Sequence, residues 1–109
     1  MAPSEFAEAD VERVRQANPL DQVINDRVRL RPAGDRQYKG SCPFHADQFA
    51  SMKVAPAVRG GRYHCFECSA DGDVFDFLMS IDGLTYSEAV TRLAARAEIT
   101  LPPPADNQS

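Results

Sequence analysis

The sequence predicts an α+β domain, a small antiparallel β-sheet flanked by N-terminal and C-terminal helices. Three observations lead there. Apolar residues recur at helical spacing before residue 25 and after residue 74, and they alternate with polar residues in several stretches between. Within that alternating middle, "CPFH" (42–45) and "CFEC" (65–68) set two pairs of Cys or His side chains at the same short spacing. At 109 residues the chain is one domain in length. A domain this small buries about two-thirds of its unfolded surface and often needs a metal or disulfide staple.

The first helix is expected from about Ser4 to Gln16, with Phe6, Val11 and Val14 turned inward. "NPLDQVIND" (18–26) reads as a second helix. Asn18 suits the N-cap, Pro19 the first helical position, and Asp21 the positive helix start. Leu20, Val23 and Ile24 give it one apolar stripe. The period then changes to two: "RVRLR" (27–31) alternates basic and apolar residues, as a half-buried strand does. "PAGD" turns the chain, and "QYKGSC" (37–42) enters a second strand. "SMKVA" (51–55) is a third, "PAVRGG" (56–61) a loop with a tight turn, and "RYHCF" (62–66) a fourth.

The C-terminal third returns to helical spacing. Asp73 is the expected N-cap of "VFDFLMSI" (74–81). "TYSE" (85–88) is a capping box, Thr85 bonding forward and Glu88 back. After it, Val90, Leu93, Ala94 and Ala97 form an apolar face. "PPPADNQS" cannot continue a helix, so residues 1–101 are expected to fold and 102–109 to form a disordered tail.

No apolar run approaches the roughly 18 residues of a membrane span. "MAPSEFAEADVERV" lacks the basic and apolar regions of a secretory signal. With three cysteines, which cannot all pair as disulfides, this places the protein in a reducing cytoplasm, where clustered Cys and His point to metal. The net charge of −4 argues weakly against general nucleic-acid binding. Its distribution argues the other way. Residues 27–64 hold eight bases and two acids, a net of +6, which leaves −10 for the rest. A basic centre between acidic ends suits a polyanion-facing surface, a plain solvated surface being the alternative.

Cys42 and His45, with Cys65 and Cys68, are the expected ligands of one structural Zn²⁺. A two-residue spacing lets a tight turn present both members of a pair to one tetrahedral ion. Thiolate-rich ligation favours zinc over magnesium or calcium, with iron a minor rival. A Cys-x-x-Cys redox pair with unrelated neighbours is the competing reading. His64 is excluded as a ligand, because adjacent strand residues point to opposite faces and Cys65 occupies the metal side. A closed set of four leaves no position for a catalytic water.

The same alternation gives His64 another role. Arg62, His64 and Phe66 share one face of the fourth strand, and Lys39 and Ser41 one face of the second. If the strands pair, Lys39, Arg62, His64 and Phe66 lie together away from the metal, a mixture of charge and rings suited to single-stranded nucleic acid. Lys53, Arg31 and Arg36 join them as candidate contacts. Phe66 stays open between base stacking and the core. "DGD" (71–73) resembles the paired carboxylates of a polymerase magnesium centre, but its place before a helix reads as a bend and a cap.

Taken together, "YKGSCPFH", the Ser-x-x-Val strand, "YHCFEC", "DGDVFDFLM" and "LTYSEAVTRLAARA" resemble the zinc-binding domain of bacterial, DnaG-type DNA primases. The resemblance runs from about Val11 to Leu101. It implies a zinc ribbon with Cys42, His45, Cys65 and Cys68 as ligands. The family's basic and aromatic strand positions fall on Lys39, Tyr63 and Phe66, and its Gly-Asp on Gly72 and Asp73. The implied function is recognition of single-stranded DNA template at the start of an RNA primer, in DNA replication. Synthesis itself belongs in that family to a separate polymerase domain, which this chain is expected to lack. A primase polymerase domain or a replicative helicase acting in trans is then the expected partner.

Two departures stand out: Gln48, Phe49 and Ala50 replace the family's Lys and Thr-Pro, and Glu67 and Ser69 replace glycines. They favour the rival reading, a zinc-stabilised interaction or regulatory module acting on a replication or transcription component. A fragment without function is the third reading.

Overall fold

Helices α1 (Glu8–Ala17) and α2 (Leu20–Asn25) precede five short strands, β1 (Arg31–Pro32), β2 (Tyr38–Gly40), β3 (Met52–Ala55), β4 (Arg62–Cys65) and β5 (Asp71–Gly72). Helices α3 (Val74–Asp82) and α4 (Tyr86–Arg96) follow. The strands pair antiparallel in chain order, a meander, in a computed structural model that describes residues 6–46, 49–56 and 61–101. The expected tail at 102–109, the start of the first helix at Ser4, Gln48 and most of "PAVRGG" lie outside the described residues.

Acidic residues in its first turn, Glu8 and Asp10, favour the start of α1, and Val11 and Val14 are its buried face. Asn18 does not cap the second helix. It closes α1 and is fully buried. Its side-chain amide donates to the carbonyls of Val14 at 2.8 Å and Leu93 at 3.0 Å, and its oxygen accepts from Arg96 Nη1 at 3.0 Å. Three partners inside the protein outweigh one exposed cap bond, so Pro19 is the N-cap residue of α2, with no side-chain cap bond.

The expected strand at 27–31 shrinks to its last residue. The amides of Arg27 and Val28 donate back to Ile24 O at 2.9 and 2.8 Å, winding up the end of α2, and the Leu30 amide donates to Asn25 Oδ1 at 3.0 Å. The alternation is real but marks an extended segment lying on the sheet rather than in it. Val28 and Leu30 turn inward on Gly40, where a Cβ would lie 2.9 Å from both Arg29 O and Leu30 Cδ2. Strands β2, β3 and β4 lie where the alternation predicts. The second strand ends at Gly40, two residues before the metal turn.

"DGD" combines a cap with an unexpected strand. Asp71 and Gly72 pair with His64 and Tyr63 as β5. Asp73 caps α3 in a reciprocal box with Asp76, accepting from the Phe75 and Asp76 amides. Gly72 permits this turn twice over: its φ is +155°, and a Cβ there would lie 2.4 Å from Asp76 Cβ. The capping box of Thr85 and Glu88 opens α4 as expected.

Helices cover one face of the sheet. Leu20 and Ile24 of α2, Met52 and Val54 of β3, Phe77 of α3 and Leu93 of α4 are fully buried in one core. Two surface ion pairs tie early chain to late: Arg27 grips Asp82 through both carboxylate oxygens and holds that carboxyl below its usual range, and Arg96 binds Asp26. No helix among the described residues is long and apolar enough to cross a membrane.

Asn18→Asp separates the two roles that this position can have. A cap tolerates aspartate, but a carboxylate cannot donate to Val14 O and Leu93 O, so the substitution is expected to cost at least about 2 kcal/mol. Chemical denaturation of the zinc-loaded protein measures this, and an unchanged midpoint would return Asn18 to a capping role.

Candidate metal centre and the open face of the sheet

The register of the three central strands builds the metal centre. Gly40 lies across from Met52, and Met52 across from Cys65, so the ends of β2 and β4 come side by side with one strand between them. Each end runs directly into one of the two ligand turns.

The first turn is anchored by Phe44, which packs on Tyr63 with ring centroids 6.2 Å apart and edge-on to Phe77 at 5.8 Å. Tyr63, one of the strand positions matched by resemblance, is therefore a buried brace between metal turn and α3. Sequence reasoning alone does not single out Phe44; its place between two ligands is the only signal it carries there. In the second turn the amides of Glu67 and Cys68 both donate to Cys65 Sγ at 3.4 Å. Ser69 leaves the turn at φ +66°, in the left-handed region, where the resembled pattern has glycine.

Cys42, His45, Cys65 and Cys68 bring one ligand atom each to within 4.8 Å of one another. Cys42 Sγ and Cys68 Sγ are 3.7 Å apart, and His45 Nε2 is 3.2 Å from Cys65 Sγ. Two sulfurs about 2.3 Å from one tetrahedral zinc lie about 3.8 Å apart, so the sulfur spacing fits that ion. Three thiols and an imidazole make a closed S₃N set, arranged to bind a single zinc. Without the metal the thiols are unequal. Burial pushes Cys42 up to about 12. At Cys65 burial also opposes ionisation, but the amides of Cys68 and Glu67, with His45, bring the thiol down to about 7. Glu67 Oε1 stands 3.6 Å from His45 Nε2, which adds a carboxylate beside the centre.

His64 pairs with Lys53 on one side and Asp71 on the other, on the face opposite Cys65. The registers line up Arg31, Lys39, Lys53, His64 and Asp71 in one row across all five strands. Arg31, Lys39 and Lys53 are exposed and His64 is half-buried. Phe66 is 67% exposed rather than core, with its ring 4.8 Å from that of His64 and Lys53 Nζ above it at 5.8 Å. Arg62 shares the His64 face but stands outside the row, across from Ala55. Arg36 is also apart, in the turn between β1 and β2 at φ +51°.

Charge is partitioned in the same way. Arg13, Arg15, Arg27, Arg92 and Arg96 each pair with a carboxylate. Arg29, Arg31, Arg36, Lys39, Lys53 and Arg62 form no ion pair among the described residues. Asp73 is held by its cap bonds and by Arg15 at 3.3 Å, and Asp71 ends the cationic row, so "DGD" does not aim two carboxylates at one point. A cavity of about 700 Å³ beside Phe6, Glu12, Arg15 and Tyr86 shares no lining residue with the metal centre.

The model of the CHC2 zinc finger family, a DnaG-type zinc ribbon, matches residues 6–109. The DNA primase of Streptomyces coelicolor is 49% identical over 92 residues, which cover 84% of this chain and 14% of that protein. That of Geobacillus stearothermophilus is 40% identical over 94 residues, covering 86% and 15%. The crystal structure of the zinc-binding and RNA polymerase domains of Aquifex aeolicus primase superposes with a TM-score of 0.77 at 29% identity, over 92% of this chain and 24% of that one. The chain thus spans only 14% and 15% of the length of these two curated relatives.

Two changes test the centre. Cys65→Ser, or a strong chelator, is expected to abolish both zinc content and native circular dichroism, because structural zinc supplies on the order of 10 kcal/mol of folding energy. Native dichroism without zinc would refute the structural role. Ser69→Gly is expected to raise stability by about 0.5–1 kcal/mol by relieving the left-handed backbone. A lowered denaturation midpoint would instead show that the serine side chain holds the turn.

Proposed function

The chain belongs to the DnaG-type CHC2 zinc-finger family, and from that premise we propose that it reads single-stranded DNA template for the start of RNA primer synthesis. The observation that carries this reading is the unpaired cationic row across the open face of the sheet. Like charges on directly opposed strand positions repel, and among the described residues no carboxylate forms an ion pair with Arg31, Lys39 or Lys53. A phosphate backbone is the partner that such a row lacks. With strands about 4.8 Å apart, the three cations span about 10 Å.

The rings of Phe66 and His64 lie at the far end of this row, where a base leaving the backbone path has an aromatic surface to stack on. The metal's part is architectural. It joins the turns that end β2 and β4, and so fixes Lys39, Lys53 and His64 at their spacing. Catalysis is assigned to a separate polymerase domain, such as the RNA polymerase domain that accompanies the zinc-binding domain in the Aquifex aeolicus primase structure, with that domain or a replicative helicase as the protein partner.

Fluorescence anisotropy with labelled single-stranded and duplex DNA at several salt concentrations tests the reading. Saturable binding that prefers single strands is expected. Replacing both Lys39 and Lys53 by Ala should flatten the slope of log affinity against log salt by about 1.4, or 0.7 for each phosphate no longer neutralised. Absence of binding at low salt, or an unchanged slope in the double variant, would transfer the function to a protein partner.

A further inference from the structure

Beside the cationic row lies a cavity of about 430 Å³, between the start of the sheet and the segment after the first metal turn. Arg29, Arg31, Lys39, Ser41 and Phe49 line it, and among the described residues no carboxylate does. Its volume lies within the roughly 300–1,000 Å³ of ordinary small-molecule sites. Phe49 is 75% exposed, the most of any large apolar residue among the described ones. A large ring at the wall of a cationic cavity is costly to leave in water and well suited to stacking.

Two features of the fold put the cations there. Arg31 and Lys39 are cross-strand partners, so their like charges are forced together. Arg29 is carried in by the segment that lies on Gly40: Val28 and Leu30 turn inward, and the arginine between them faces out. None of the three cations has an ion-pair partner among the described residues.

We propose that this cavity binds a nucleoside polyphosphate group. Its phosphates would lie on Arg29, Arg31 and Lys39, with the Ser41 hydroxyl donating to a phosphate oxygen, and its base on the ring of Phe49. Guanidinium forks match phosphate oxygens in pairs, the ammonium adds a point charge, and an aromatic face accepts any base. The group arrives as a free nucleotide or as the 5′-triphosphate end of a short oligonucleotide, and the recognition chemistry is the same. Arg29, Ser41 and Phe49 are outside the row assigned to the template, so the inference does not rest on strand reading.

The test is calorimetric titration of the zinc-loaded protein with ATP, GTP, tripolyphosphate, and a trinucleotide with either a 5′-triphosphate or a 5′-hydroxyl. Zinc content is measured before and after, and backbone amide shifts are mapped. Saturable binding of both nucleotides is expected, with shifts at Gly40, Ser41 and Ala50. Phe49→Ala should weaken ATP and GTP about tenfold while sparing tripolyphosphate. Arg29→Ala should weaken all three by about tenfold.

Tighter binding of the triphosphorylated trinucleotide than of free nucleotide assigns the cavity to an oligonucleotide end, and the reverse assigns it to a free nucleotide. No saturable binding of any polyphosphate, binding indifferent to both variants, or shifts that map elsewhere would overturn the proposal. Anisotropy with single-stranded DNA on the same samples keeps the readings apart. Nucleotide binding lost with strand binding kept removes only this inference; the opposite result removes only template reading.

Discussion

The meeting of two turns at one point governs this structure. β2 and β4 are separated by β3, and only the register Gly40–Met52–Cys65 brings the chain after β2 level with the end of β4. A slip of one residue would turn Cys65 to the open face and His64 to the metal side, because side chains alternate strictly along a strand. The four-ligand set therefore specifies the register as well as closing the site. It matters energetically too: structural zinc sites supply about 10–16 kcal/mol, as much as the whole net stability of an ordinary domain. Strands of two to four residues can persist on that footing.

Because the register is fixed, both faces of the sheet are fixed with it. Tyr63, Cys65, Met52 and Val54 go to the core, where Phe44 and Phe77 brace the first metal turn through Tyr63. Arg31, Lys39 and Lys53 are left together on the other side. The helices satisfy their own charges: Asp82 serves both Arg27 and Arg92, and Asp26 serves Arg96. The sheet does not. Repulsion among Arg31, Lys39 and Lys53, which have no ion-pair partner among the described residues, is a cost to the free protein.

What is legible in the sequence depends on how far each interaction reaches along the chain. The caps of Asp73 and Thr85 are legible because donor and acceptor lie within three residues. The four ligands are legible because each pair sits on one turn. Asn18 reads wrongly as a cap because its decisive partners, Leu93 and Arg96, lie 75 and 78 residues away. "RVRLR" carries the alternation of an extended segment, and nothing local distinguishes lying on a sheet from pairing within it. β5 escapes a sequence reading because two residues are too few to show a period. The alternation separates Lys39 and His64 from the metal side, but their place in a common row with Arg31 and Lys53 depends on register.

The departures from the resembled pattern take on physical meaning in the fold. Ser69 keeps the left-handed backbone of the second turn without the residue that adopts it most easily, so the turn's geometry is imposed by its bonds to Cys65 rather than by its own preference. Glu67, in the same turn, places a carboxylate by His45, at a centre that three thiolates and one zinc already leave at −1. Negative charge thus gathers at the metal turns. The described cations away from the helices lie from Arg29 to Arg62, with Arg29, Arg31 and Lys39 toward the β1 side of the sheet. Phe49, standing in the segment that replaces the family's Lys and Thr-Pro, lines the same cavity as these three cations. Across that cavity Arg29 reaches its place because Gly40 has no side chain: a Cβ there would lie 2.9 Å from Arg29 O.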